Sequence, residues 1–291
     1  MMFDGFERSQ VETTGATINF VVGGGGPPLL LLHGYPETHV MWHLIAPELA
    51  RDFTVVAVDL RGYGDSSKPA GDADHANYSK RVMAQDQIEV MATLGFDRFG
   101  VAGHDRGGRV AYRMAIDHPD IVTRLAVLDI VPTHHVYSNV NRLIATAYYH
   151  WFMLIQPFDL PERLIGADPE YFLRTSLDRW CAGGIEAFDE AAVAEYARCF
   201  CTPEGVHASC EDYRAGATVD FQMDAEDAGK LRIACPTLAL VGQRGLARIG
   251  ALEVWQQWCV DVRAVELPCG HFLPEEAPDE TYQALQEFFS T

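Results

Sequence analysis

The chain has 291 residues, 48% of them hydrophobic and 22% charged, enough for one large domain or a domain carrying a substantial insertion. Its 41 acidic residues against 22 basic ones leave a net charge of −19, which argues against nucleic acid or an anionic membrane surface as partner. An acidic substrate would be repelled at long range, so a site that binds one must carry fixed cations of its own.

The opening MMFDGFERSQVETTG lacks the basic-then-apolar pattern of a signal peptide, and no apolar stretch is long enough to span a bilayer. Seven cysteines, an odd number without secretory context, read as reduced and mostly buried thiols of a cytoplasmic protein. Cys199 and Cys201 lie close together, but no partner motif has zinc-site spacing, so no metal is expected. The Gly23–Gly26 run precedes a strand and has no following Lys-Ser/Thr, so it reads as a hairpin turn rather than a phosphate loop.

Short, nearly continuous apolar runs then alternate with helical stretches. Pro28–Leu32 leads into His33-Gly34-Tyr35-Pro36, Phe53–Val58 into Asp59, and Phe99–Gly103 into His104-Asp105-Arg106-Gly107-Gly108. Leu125–Leu128 ends at Asp129, Thr237–Val241 at Gly242, and Val262–Leu267 just before Gly270-His271. Continuous rather than alternating apolar runs fit strands covered on both faces, so the fold class is α/β with a mostly parallel central sheet flanked by helices. Polar and glycine residues gather after the strands, where open α/β sheets bind their ligands. The rhythm breaks over 132–226, which is aromatic and helix-like over Asn139–Ile155 and Glu186–Phe200. That stretch is expected to be an inserted helical cap, with residues 1–131 and 227–291 as the core.

Gly103-His104-Asp105-Arg106-Gly107 has the spacing of a strand–turn–helix elbow that exposes a nucleophile. The following helix, about Arg106 to His118, turns Val110, Ala111, Met114 and Ala115 toward the sheet. A carboxylate at the elbow is already ionised at neutral pH, and the positive end of the helix favours it by about 0.3–1 kcal/mol. Such a group attacks a saturated carbon bearing a leaving group and forms an ester that must then be hydrolysed.

His271 follows the last strand and is expected to be the base that activates the hydrolytic water. Its acid partner has two possible positions. The loop Gly242-Gln243-Arg244-Gly245 holds no carboxylate, which leaves Asp129 at the end of the preceding strand. The backbone N–H groups of Tyr35 and Arg106 are the expected oxyanion donors. Arg106 and Arg109, three apart on the first helical turn, share a face and would grip a substrate carboxylate, supplying the cations that the −19 charge demands.

These motifs, together with Thr38-His39-Val40-Met41-Trp42, Tyr149-His150-Trp151, Cys210–Gly216 and Gly270–Pro278, resemble the haloacetate dehalogenases of the α/β-hydrolase superfamily, the fluoroacetate dehalogenases in particular. The likeness spans the whole chain, cap included. It implies a triad of Asp105, His271 and Asp129, and a carboxylate clamp of Arg106 and Arg109. It implies halide binding by His150, Trp151 and Tyr213, with Trp180 lining the pocket, and a homodimer without metal or organic cofactor. The expected partners are a small anionic 2-halo acid and water, with neither nucleic acid nor membrane. An epoxide hydrolase is the rival, with Tyr148, Tyr149 or Tyr213 protonating the epoxide. A catalytically silent ligand-binding homologue is the third reading.

Overall fold

Among the described residues, 2–245 and 250–291, the computed structural model has eight strands in one sheet. They are β1 (Glu7–Thr13), β2 (Ala16–Gly24), β3 (Pro28–Leu32), β4 (Thr54–Val58), β5 (Phe99–His104), β6 (Val122–Leu128), β7 (Thr237–Gly242) and β8 (Val262–Leu267). Their order is β1-β2-β4-β3-β5-β6-β7-β8; β1 and β2 are antiparallel, and β4 through β8 run parallel. The apolar runs of β5 and β7 are buried along their whole length, as strands covered on both faces must be.

The glycine run is not a hairpin turn. β2 pairs with β4 rather than with β3, so Gly24–Gly26 carries the chain past the end of β4 into β3. Gly24 and Gly26 adopt φ of 84° and 129° there, which glycine alone accepts readily.

The principal helices are α1 (Lys80–Thr93), α2 (Asp105–Asp117), α3 (Tyr149–Leu154), α4 (Pro169–Trp180), α5 (Pro203–Ala215), α6 (Ala251–Trp258) and α7 (Pro278–Phe289). α2 packs on β3, β5 and β6, with Val110, Ala111, Met114 and Ala115 buried. No helix among the described residues is long and apolar enough to cross a membrane.

Between β6 and β7 the described residues form helices and no strand, and α3, α4 and α5 lie in this stretch. Asn139–Ile155 is not one helix. Asn141 caps a turn at Arg142–Ala147 by accepting the Ile144 N–H, and Tyr148 (φ −103°, ψ 32°) then breaks the run. The break lets α3 turn His150 and Trp151 inward, where both are buried. Glu186–Phe200 divides likewise into a 3₁₀ turn at Ile185–Ala187 and a helix from Glu190 capped by Asp189.

Candidate active site

β5 hands over to α2 through a bend in which Asp105 takes φ 41°, a left-handed conformation unusual for a residue with a side chain. The turn closes only because its neighbours lack side chains: a Cβ on Gly103 would come within 2.7 Å of Gly108 N, and one on Gly34 within 2.7 Å of Asp105 Cβ. Asp105 is 5% exposed, and its Oδ2 accepts the Tyr35 N–H at 3.1 Å. Burial disfavours the charged carboxylate, but the positive charges of His271, Arg109 and Arg106 outweigh it and hold Asp105 below the ordinary carboxylate range. Arg106 N–H is the next amide along, in a first helical turn whose amides have no intrahelical acceptor.

His271 Nδ1–H donates to Asp129 Oδ2 at 2.7 Å, and the other Asp129 oxygen accepts the Gly242 N–H at 3.0 Å. Burial opposes the imidazolium, yet Asp129, as hydrogen-bond acceptor and as charge, raises His271 to about 9, with Asp105 adding to the effect. Asp129 itself sits at φ 48°, where β6 ends.

Both arginines lie inside the protein, each 1% exposed, and both stack on Trp151, with Cζ at 5.8 Å (Arg106) and 4.4 Å (Arg109) from the ring centre. Arg109 Nη1 donates to Val131 O at 3.0 Å and Thr133 Oγ1 at 3.1 Å. Arg106 is committed more heavily than the sequence suggests. Its Nε and Nη2 donate to the two Asp212 carboxylate oxygens at 2.7 and 3.0 Å, so the edge left for a ligand is Nη1.

Residues between β6 and β7 pack over these groups. The His150 ring lies 4.3 Å from Trp180 and 5.8 Å from Tyr213, and Tyr35 packs against His150, Trp180 and Tyr213. His150 Nδ1 and the Tyr213 hydroxyl are buried without a hydrogen-bond partner among the described residues. Burial pushes His150 down to about 3, so its ring is neutral and offers one N–H. A buried polar group without a partner is costly, and a bound ligand that supplies one relieves that cost.

A family model described as alpha/beta hydrolase fold matches residues 27–278. The chain belongs to the α/β-hydrolase fold family. A fluoroacetate dehalogenase from Burkholderia sp is 50% identical over 99% of this chain and 95% of its own length. A soluble epoxide hydrolase from Corynebacterium sp. (strain C12) is 36% identical over 97% of this chain and 96% of its own. A solved structure from Nostoc sp PCC 7120 superimposes with a TM-score of 0.96 at 58% identity, covering 99% of both chains.

This α/β-hydrolase braces the loops that carry Tyr35, Asp105 and His271 with residues that sequence reasoning passed over. His104 Nε2–H donates to the His271 carbonyl at 2.7 Å while its Nδ1 lies 3.1 Å from Glu37, so one imidazole ties the loop after β3, the bend at Asp105 and the loop of His271. Glu276 accepts the N–H groups of Gly270 and Phe272, each at 2.8 Å, and that of Ala182 at 2.7 Å, fixing the loop of His271 to the end of α4. The signal for the first pair was a His and a Glu directly flanking named catalytic motifs. Glu276 gave no comparable sign, because its partners are backbone groups. Among the described residues no group of three or more His, Cys, Asp or Glu could hold a metal.

Proposed function

We propose that the protein is a haloacetate dehalogenase converting fluoroacetate or chloroacetate to glycolate and halide, with residues 132–226 as a cap closing the pocket. The observation that carries this reading is a buried carboxylate, Asp105, beside two buried guanidiniums and facing unpaired donors of the insertion. The 50% identity to a fluoroacetate dehalogenase, against 36% to an epoxide hydrolase, favours it over the rival. A neutral epoxide has no use for two desolvated cations, whereas a haloacetate does.

Arg106 and Arg109 hold the substrate carboxylate and bring its α-carbon to Asp105. An Asp105 oxygen displaces halide at that carbon, forming an ester; the bond to halogen breaks as the new C–O bond forms. The departing halide is received by the N–H of His150, the indole N–H of Trp151 and the hydroxyl of Tyr213, which replace its water shell. Esterification removes the Asp105 charge, one of the influences that keep His271 protonated near 9. His271 can then lose its proton and take one from the attacking water. The Tyr35 and Arg106 N–H groups stabilise the oxyanion of the tetrahedral intermediate. Its collapse regenerates Asp105 as the protonated His271 returns its proton to the departing alkoxide, releasing the hydroxy acid.

The test is halide release from fluoroacetate beside chloroacetate, with Asp105→Asn as control. A single turnover in isotopically labelled water places label in the Asp105 carboxylate; label appearing first in the product alcohol rejects the ester route. Epoxide turnover without halide release would transfer the assignment to the rival, and tight ligand binding without turnover to a silent homologue. A cytoplasmic location is part of the proposal, supported by seven unpaired cysteines. So is a homodimer, supported by the exposed apolar side chains Leu143, Phe158, Leu160, Leu164 and Tyr171 on the insertion, with light scattering as the check.

A further inference from the structure

Behind Arg106 lies a buried cluster of charges. The Asp212 carboxylate takes Arg106 Nε on Oδ2, Arg106 Nη2 and the Lys80 ammonium on Oδ1, and the Tyr63 hydroxyl on Oδ2 at 2.6 Å. Arg106 Nη2 also donates to the Asp212 carbonyl at 2.8 Å. Lys80 Nζ lies 3.7 Å from Asp220 Oδ2, and Asp220 Oδ1 accepts the Lys80 N–H at 2.8 Å. The side chains of Lys80, Arg106, Asp212 and Asp220 are all at most 3% exposed. Four ionisable groups out of water need a reason, because a simple buried pair seldom repays its desolvation.

Two features of the geometry point to the substrate. Asp212 occupies the Nε–Nη2 edge of Arg106 and leaves Nη1 without a hydrogen-bond partner among the described residues. Next to Asp212 in α5, Tyr213 stacks its ring under the same guanidinium, 4.2 Å from Cζ. A guanidinium held on one edge and one face can present only its remaining edge. The difficulty is charge: Asp212 alone would cancel Arg106 and leave half the clamp neutral. Lys80 supplies the missing positive charge.

We propose that Asp212 and Lys80 are positioning residues for the carboxylate clamp, Asp212 fixing the edge that Arg106 presents and Lys80 restoring the positive charge that Asp212 removes. The inference rests on the reading of Arg106 as a carboxylate ligand. Asp220 fits the same arrangement: burial pushes its carboxyl up toward the neutral form, while Asp212, despite burial, is held below the ordinary range by Arg106 and Lys80. Lys80 and Arg106 thus both contact the Asp212 carboxylate, inside a protein of charge −19. The cluster also joins α1 and the loop after β4 to α5, so the clamp is set only when insertion and core are seated together.

The two residues carry opposite kinetic signatures, which general damage to the fold would not produce. Lys80→Met raises KM for chloroacetate, and the dissociation constant of glycolate measured by calorimetry, about ten- to thirty-fold, with kcat within about three-fold. Lys80→Arg recovers most of the loss. Asp212→Asn lowers kcat about ten-fold or more, since the edge is no longer fixed, with KM unchanged or lower. If Lys80→Met does not fold, Tyr63→Phe, which removes one hydrogen bond from Asp212, gives a smaller kcat loss of the Asp212→Asn kind. Unchanged KM and glycolate affinity in Lys80→Met, or parallel losses of kcat and affinity in both variants, overturn the proposal while wild-type halide release leaves the dehalogenase reading standing. A wild-type protein that releases no halide from chloroacetate removes both.

Discussion

Asp129 reaches His271 across an intervening strand: the two residues follow β6 and β8, with β7 between them, yet Asp129 Oδ2 and His271 Nδ1 are 2.7 Å apart. The passage is open because glycines stand at the end of β7 and in the turn after it. Gly242 donates its N–H to Asp129, and a Cβ on Gly245 would fall 2.6 Å from both Asp129 oxygens. On the proposed mechanism Asp129 orients the base rather than helping the nucleophile, and the two chemical steps separate. Asp129→Asn lowers steady-state turnover on the order of 10⁴-fold, the scale seen when a triad carboxylate is lost. The first turnover still releases about one equivalent of halide per site, read by rapid quench. A first-turnover rate that falls as far as the steady state would place Asp129 in the displacement step instead.

The same separation appears in pH. Asp105 is held below the ordinary carboxylate range, so halide displacement in a single turnover stays level across neutral pH. On the proposed route, ester hydrolysis needs neutral His271. In the free protein that group sits at about 9, raised by Asp129 and further by the Asp105 charge that the ester abolishes. Steady-state kcat therefore rises with pH along a limb whose midpoint lies below 9, while the halide burst does not move. A burst that tracks the same limb as kcat would mean that His271 acts before the ester exists.

The parts legible in the sequence were those written in local pattern. Continuous apolar runs gave the inner strands, and the glycines around Asp105 gave the elbow. Elimination led to Asp129, because the loop after β7 holds no carboxylate. Long-range partners left no such trace. Asp212 and Lys80 are 132 residues apart, and nothing in either neighbourhood signals that both converge on Arg106. The helix break at Tyr148 was hidden for a related reason: packing of His150 and Trp151 against the core overrides a helical run that local propensity would continue. The pairing of β2 with β4 likewise depends on strand order, which a glycine run does not encode.

Gly34 is a second place where the site depends on a missing side chain. A Cβ there would lie 2.7 Å from Asp105 Cβ and 2.8 Å from His104 Nδ1, both on a rigid bend. Gly34→Ala must push the loop that carries the Tyr35 N–H away from Asp105. Loss of one oxyanion donor costs about 2.7–4 kcal/mol in the barrier, so steady-state turnover falls about 10²–10³-fold. Circular dichroism and melting of the variant should stay close to wild type, and restored turnover would show that the loop had relaxed at no cost to the donor.

His39 and Asp59 make a buried pair at 2.8 Å, and Asp59 also accepts the His39 N–H at 2.8 Å and Asn19 Nδ2 at 2.8 Å. Burial opposes both charges, yet the pair holds Asp59 below and His39 above their ordinary values. The Asp59 contribution is present above about pH 4 and lost as pH falls through its lowered folded value. The His39 contribution is complete below about pH 6.5 and lost as pH rises through its raised folded value. Asp59→Asn thus costs most between about pH 4 and 6.5, about 3–5 kcal/mol by denaturant titration at pH 5.5. The gap to wild type narrows at alkaline pH; a constant gap would assign the cost to the neutral hydrogen bonds alone.

Tyr213→Phe separates the two jobs that Tyr213 is placed to do. The ring, 4.2 Å below the Arg106 guanidinium, survives the substitution, so the carboxylate clamp keeps its support. Only the hydroxyl goes, a buried donor with no partner among the described residues. Fluoride is small, strongly hydrated and a poor leaving group, so its departure depends on every donor that replaces water. Chloride leaves more readily and gains less from each one. The loss of one hydrogen bond to a charged acceptor, about 1.5–3 kcal/mol, therefore falls mainly on fluoroacetate, lowering its turnover about ten- to hundred-fold with a smaller change for chloroacetate. The ratio of halide release from the two substrates, measured side by side, is the readout. Equal losses on both would mean that the hydroxyl serves the ester hydrolysis common to them and not the departing halide.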